Sequence, residues 1–401
     1  MLTPEQIQEL TTEAAAVTEE LNTKLIRLMI KRVCERLSRG DEYLITSVDV
    51  WTAQTLRDIG GDLTAVARLV AQYNPKIQAA IFGAFNAAFK ASWEQETGIY
   101  TAAGITQMQP ASFYVEILRR NYEQTLTDYM NFTRSIASTW QTEFFNITSR
   151  AYMAVASGAM SYTGAYSQAI REMVDTPFKA VVYPSGHVDT IETATVRAIR
   201  TAVNQTAADI TQRRMQEVGW DIVLVSAHYG ARPSHAAWQG KFYSLNGTTP
   251  GLKTLAEACG YGEVDGLCGA NCRHSFGPHT LDYNPYDDIA INREESAKMY
   301  KAEQTQRAYE REIRHDKSAL MELETAKAES VNPEAVERIA EDYSRRAYHM
   351  AETERKYNDF SEEHALKTQP SRMEVGGFGR EQEKSATRAA LAWRKRLQQD
   401  A

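Results

Sequence analysis

His228-Tyr-Gly-Ala-Arg232-Pro-Ser-His235-Ala-Ala-Trp238-Gln-Gly240 and Gly266-Leu-Cys268-Gly-Ala-Asn271-Cys272-Arg273-His274 are the stretches on which the reading of this 401-residue chain turns. Three of the four cysteines and four of the eight histidines lie in this region or at its edge. A continuous apolar run of strand length, Asp221-Ile-Val-Leu-Val-Ser226, leads into it. Lys241-Phe-Tyr-Ser-Leu245 offers a second short strand and Cys272-Arg-His-Ser-Phe276 a third. Upstream, Lys179 to Val188 reads as a short strand and turn. Asp189 then reads as the cap of a helix to about Val218, carrying Ile191, Val196, Ile199, Val203, Ile210 and Met215. Residues 176–285 are therefore expected to form a small α+β unit in a mainly α chain.

On the N-terminal side, residues 1–175, the pattern is helical throughout. Thr3-Pro4-Glu5-Gln6 is a helix start, with Thr3 at the N-cap, Pro4 at the first helical position and Gln6 reaching back. Ile7, Leu10, Ala14, Val17, Leu21, Leu25 and Leu28 continue in steps of three and four, one stripe that must be buried. The spacing predicts one helix running to about Arg39-Gly40. Further helices are expected over Ser47–Ile59, Asp62–Ala71, Pro75–Thr97, Ala111–Thr125 and Thr127–Ala154, with breaks at Gly60-Gly61, Gly98 and Gly104. The whole reads as a helical N-terminal bundle.

Beyond Tyr286 the texture changes again. Residues 291–401 hold 21 Lys plus Arg against 22 Asp plus Glu, and such even mixing on helix-forming residues describes a solvated helical surface. Residues 286–401 are thus expected to be a long helical C-terminal arm, broken at Asn332-Pro333 and Gly376-Gly377. Its sparse apolar positions favour an arm extended along a partner, or partly disordered, over a compact core.

The composition is that of an ordinary globular protein: 43% apolar, 24% charged, net charge −7. That charge gives no overall attraction to nucleic acid or anionic lipid. Four unevenly spaced cysteines do not make a disulfide scaffold, and Cys34 reads as a buried thiol. The N-terminus lacks signal-peptide features, and Ala151 to Tyr166 is too short and too polar to span a bilayer. The expectation is a soluble protein made in the cytoplasm.

Three chemistries can be set against the cluster. Cys259, Cys268, Cys272 and His274 are the right types for tetrahedral zinc, with His228 and His235 as alternative ligands. The three-residue gap between Cys268 and Cys272 lacks the tight zinc knuckle, and Cys259 sits in a helical pattern, so no metal is expected. A zinc deaminase fails because His235 is followed by Ala236-Ala237 and the cysteine gap is wrong. His228, Arg232 and His235 could handle a phosphate, with imidazoles as acid and base and the guanidinium stabilising charge. Against these stands a structural reading. Arg232 can tie carbonyls of an irregular loop, the two histidines can bridge backbone groups, and Trp238 supplies an apolar anchor.

The pairing of His228-x3-Arg232-Pro-Ser-His235-x2-Trp238-x-Gly240 with Cys268-Gly-Ala-Asn271-Cys272-Arg273-His274 resembles the minor capsid proteins of tailed phages, most closely the phage minor capsid protein 2 group. More distantly it is similar to Mu F-type head morphogenesis proteins. Tyr183-Pro-Ser-Gly186 and the helix after it also match. The resemblance implies a low-copy virion component in the head interior or at the portal vertex, present in the host cytoplasm during assembly. Its partners would be the portal protein and other capsid proteins. It implies no catalytic residues, cofactor, membrane or small-molecule substrate, so the ten motif residues are expected to be structural. Arg394-Lys395-Arg396 could touch packaged DNA. The alternatives are an injected nucleic-acid-processing enzyme using His228, Arg232 and His235, or a zinc-stabilised interaction module.

Overall fold

The computed structural model describes residues 2–37, 48–106, 111–175, 181–183, 186, 188–287 and 292–399. The chain is mainly helical with a small three-stranded sheet, as expected. It divides into two compact units, each made of three separate segments. The first unit combines residues 1–15, 75–131 and 193–304; the second combines 16–74, 132–192 and 305–401.

The N-terminal cap is as the sequence predicts. Thr3 Oγ1 accepts from Gln6 N, and Gln6 Oε1 accepts from Thr3 N, opening helix α1 (Pro4–Glu9). The single long helix expected here is two, because α1 closes at Leu10 and α2 runs Thr12–Leu37. The expected C-cap at Gly40 lies outside the described residues. The opposite correction applies next. α3 is one helix, Val48–Ala102, through Gly60-Gly61, Pro75 and Gly98. Glycine costs a helix about 1 kcal/mol and proline about 3. Burial along the apolar stripe outweighs both: Val66 and Tyr73 in one unit and Ile77, Ile81 and Phe85 in the other are at most 1% exposed. Gly104, at φ +79°, does end the helix region. α4 likewise runs unbroken over Ala111–Ala156, where two helices were expected.

In the first unit, α6 (Ile191–Glu217) backs the sheet. Asp189 does not cap it. That residue sits in β2 (Val188–Asp189), paired antiparallel with β1 (Val181–Val182), and both strands belong to the second unit. The larger sheet has the order β4-β3-β5, all antiparallel: β3 Ile222–Val225, β4 Phe242–Ser244 and β5 Phe276–Pro278. The third strand therefore begins where Cys272–Phe276 was expected to end. Val223 and Val225 share a face and pack with Ala208 and Met215 of α6, and with Trp238, Tyr243, Leu255, Cys259, Leu267 and Phe276. Two short helices, α7 (Pro233–Ala236) and α8 (Leu255–Cys259), interrupt the connections.

In the second unit, Trp140 stacks on Phe144 at 5.2 Å and its Nε1 donates to Leu25 O at 3.3 Å. α5 (Tyr162–Asp175) lends Tyr166, whose hydroxyl lies 2.6 Å from Ser330 Oγ. The C-terminal helices α9 (Arg293–Glu329), α10 (Pro333–Glu363) and α11 (Arg380–Gln399) break where predicted, with Asn332 capping α10 through Ala335 N. They are not extended, however. Leu320, Ala347, Met350, Ala386 and Ala390 form a buried cluster. The seam was hard to see because alanines let the backbones approach with few large apolar residues. Nor are all its charges solvated: Asp316, 0% exposed, accepts from Arg346 at 3.0 Å and faces His349 Nδ1 at 2.8 Å. Among the described residues no helix is long and apolar enough to cross a membrane.

Candidate functional site

The motif residues come together at the end of the three-stranded sheet. β3 delivers the chain through Ser226, which is tied to Ser275 by two hydrogen bonds: Ser226 N donates to Ser275 O at 2.9 Å, and Ser275 N to the Ser226 side-chain Oγ at 2.9 Å. This clasp fixes the 226–240 segment against the 268–276 loop. Pro233 then starts α7 with Arg232 at its N-cap position, and α7 projects His235 inward. Gly240, at φ +64°, turns the chain back so that its N–H reaches Val225 O at 3.1 Å and β4 can begin.

His235, Cys272 and His274 meet in the interior, each at most 2% exposed. His235 Nδ1 lies 3.4 Å from His274 Nδ1, and Cys272 Sγ lies 3.8 and 3.7 Å from these two atoms. Among the described residues these three form a group able to hold a metal ion. It is a different set from the Cys259, Cys268, Cys272 and His274 combination weighed from spacing. Cys259 lies by Tyr243, its thiol pushed up to about 12 by burial. Cys268 is buried and its Sγ faces His274 O at 3.8 Å.

Aromatic rings wall the cluster. His228 stacks on His274 with centroids 4.6 Å apart, and Trp238 lies 4.6 Å from His235 and 4.9 Å from His274. Burial holds the pKa of His235 below the ordinary histidine value. The same cause, reinforced by His228, holds His274 well below it. Desolvation likewise raises the Cys272 thiol. All three residues are thus set to be uncharged at neutral pH when no ion is bound.

The remaining motif residues hold the loop. Arg232 Nη2 donates to Ala270 O at 3.3 Å and Asn271 O at 3.4 Å, the carbonyl-tying role its five donors suggested. Asn271 takes φ +60°, a left-handed conformation asparagine tolerates, and its Oδ1 accepts from Arg200 at 2.8 Å. Arg273 pairs with Glu303 at 3.7 Å. Replacing Arg232 with alanine should lower stability by about 1–3 kcal/mol, the cost of leaving part-buried carbonyls short of a donor. Denaturant titration reads this directly, and an unchanged midpoint would show that the guanidinium does not tie the loop.

Sequence reasoning missed three supporting residues. Gln239 Oε1 accepts from His228 N at 3.1 Å and meets His274 Nε2 at 3.0 Å. Asn204, fully buried on α6, donates to His274 O at 2.8 Å. The carbonyl of Asp265 meets His235 Nε2 at 2.9 Å. Gln239 stands four residues after His235, the one local hint. Asn204 carries no signal in the motif itself.

His228, Arg232 and His235 do not form an open acid–base site. His235 is 2% exposed, and Arg232 Nη2 donates to loop carbonyls.

The profile of the family described as Phage minor capsid protein 2 matches residues 2–360. Among curated proteins, one named "Structural protein" from Lactococcus phage LL-H is 26% identical over 181 residues, covering 42% of this chain and 47% of that protein. The chain thus spans about half the length of that relative. No solved structure matches it. The family profile takes in nearly all of the first region, the whole of the second with every motif residue from His228 to His274, and the third as far as residue 360, and the chain belongs to the phage minor capsid protein 2 family.

Proposed function

We propose that this capsid-family protein is a low-copy structural component of the phage head, placed at or near the portal vertex and needed for head morphogenesis or DNA delivery. Its partners are then the portal protein and other capsid proteins. The observation that carries the reading is the family match across residues 2–360; the likeness to a phage structural protein supports it over a shorter span. The site is consistent with this, since Arg232, Asn271 and Arg273 hold the loop through hydrogen bonds and an ion pair.

In this reading residues 1–175 supply a head or portal contact, 176–285 are the Mu F-like part, and 286–401 contact partner helices through their exposed charged face. A DNA contact at the chain's end rests on Arg394 and Lys395, which are exposed, more than on Arg396, which pairs with Glu341 at 2.9 Å.

The test is to purify virions, quantify the protein by mass spectrometry against the portal, and assemble heads without it. The expected result is a copy number near that of the portal and heads that fail to package or deliver DNA. Heads lacking the protein that package and deliver normally would end the proposal.

A further inference from the structure

We propose that His235 Nδ1, His274 Nδ1 and Cys272 Sγ are protein ligands of a bound zinc ion. The first argument is the proton inventory. Gln239 Oε1 accepts from the His228 backbone N–H, which can only donate, so the atom of the Gln239 amide facing His274 is its oxygen. His274 Nε2 must therefore carry the proton. His235 Nε2 faces the Asp265 carbonyl, also purely an acceptor, and must carry its proton too. Each ring in its neutral form then presents a bare Nδ1 lone pair, and the two lone pairs face each other at 3.4 Å. The single proton of the Cys272 thiol can satisfy one of them at most. A cation shared by all three removes the conflict.

The second argument is metric. Zinc bonds of about 2.0–2.1 Å to nitrogen and 2.3 Å to sulfur at tetrahedral angles place ligand atoms about 3.3 Å apart for N···N and about 3.6 Å for N···S. The observed separations are 3.4, 3.8 and 3.7 Å. The outer groups also suit the ion. Ligating imidazoles ordinarily donate their other N–H to a carbonyl or carboxylate, as both do here, which fixes ring orientation. His274 N donates to Cys272 Sγ at 3.4 Å, an interaction that favours thiolate. On binding, the Cys272 proton passes to solvent as the Zn–S bond forms, while both imidazoles bind neutral. The ion would join the segment after β3 to the loop before β5.

Metal analysis of the full-length chain, purified reduced and without chelator, should find one zinc per chain. Cobalt(II) added to the stripped protein should produce a thiolate-to-metal charge-transfer band, absent in Cys272→Ser and retained in Cys259→Ser. X-ray absorption of the wild-type zinc form reads the ligands without any variant, so it stands even if Cys272→Ser does not fold. One sulfur with two imidazole nitrogens is the expected shell. A folded chain without zinc and without a cobalt band overturns the proposal, as does a shell with two or more sulfurs or a band that survives Cys272→Ser.

Discussion

Arg214→Ala is expected to destabilise the protein by about 3–5 kcal/mol, the loss seen when one partner of a buried ion pair is removed. Arg214 and Glu96 both have side chains 1% exposed and meet at 3.2 Å. Arg214 Nη2 also donates to Thr97 Oγ1 at 2.8 Å and Nη1 to Trp93 O at 3.3 Å, while the guanidinium carbon lies 3.8 Å from the Trp93 ring centroid. Glu96 accepts from Ser92 Oγ at 3.1 Å and from Thr211 Oγ1. Truncating the arginine leaves a carboxylate enclosed by α3 and α6 without its counter-charge. Converting the pair together, Arg214→Met with Glu96→Gln, should recover a large part of the loss, because no lone charge then remains. A double-mutant cycle in denaturant measures both values. A loss below about 1 kcal/mol for Arg214→Ala would place the pair in the weak class of surface bridges instead.

Gly266→Ala should be at least as damaging, by about 3 kcal/mol or more, through sterics alone. A β-carbon at Gly266 would stand 1.9 Å from the carbonyl oxygen of Gly260 and 2.9 Å from that of Cys259. Both obstacles are backbone, so no side chain can swing aside. The approach is held by Leu267 N donating to Cys259 O at 3.0 Å and Gly266 N donating to Glu263 O at 3.2 Å. Gly269 is as confined, with Val264 O 2.4 Å from its would-be β-carbon. Gly98→Ala is the matched contrast. That glycine lies in helical backbone about one turn from the end of α3, with nothing within 4 Å of an added carbon, so the change should raise stability by roughly 0.5–1 kcal/mol. Thermal melts of the two variants should move in opposite directions. A Gly266→Ala chain that melts with the wild type would show that this loop is looser than its hydrogen bonds indicate.

These contrasts explain what could be read from residues alone. Caps are local chemistry, so the Thr3–Gln6 box and the Asn332-Pro333 restart were legible. β3 was legible as an apolar run too short for a helix. Gly60-Gly61, Pro75 and Gly98 misled because their preference for breaking a helix is also local, whereas the burial of Tyr73, Ile77 and Phe85 that overrides it is tertiary. The C-terminal helices misled for a related reason, since Ala347, Ala386 and Ala390 gain from close packing that a hydropathy pattern barely registers. In the cluster, residue types pointed to the right place, while spacing did not show that Cys272 and His274 gather around His235 and leave Cys259 out. Cys272 and His274 reach His235 only because Cys268 and Asn271 adopt left-handed backbone, at φ +59° and +60°. No linear gap between cysteines encodes that path.

The division of the molecule into two units of three segments each has a consequence for its biogenesis. The polypeptide passes between the units five times, at residues 15–16, 74–75, 131–132, 192–193 and 304–305. While a ribosome is still translating residue 300, the second unit lacks its entire last segment, and the first is still receiving its own. Neither can mature as an autonomous N-terminal product, in contrast to multidomain chains that fold bead by bead during synthesis. No single cut releases an intact half. A nonsense fragment, a protease nick or a two-plasmid split would each leave at least one unit short of a segment, with its apolar faces unpaired.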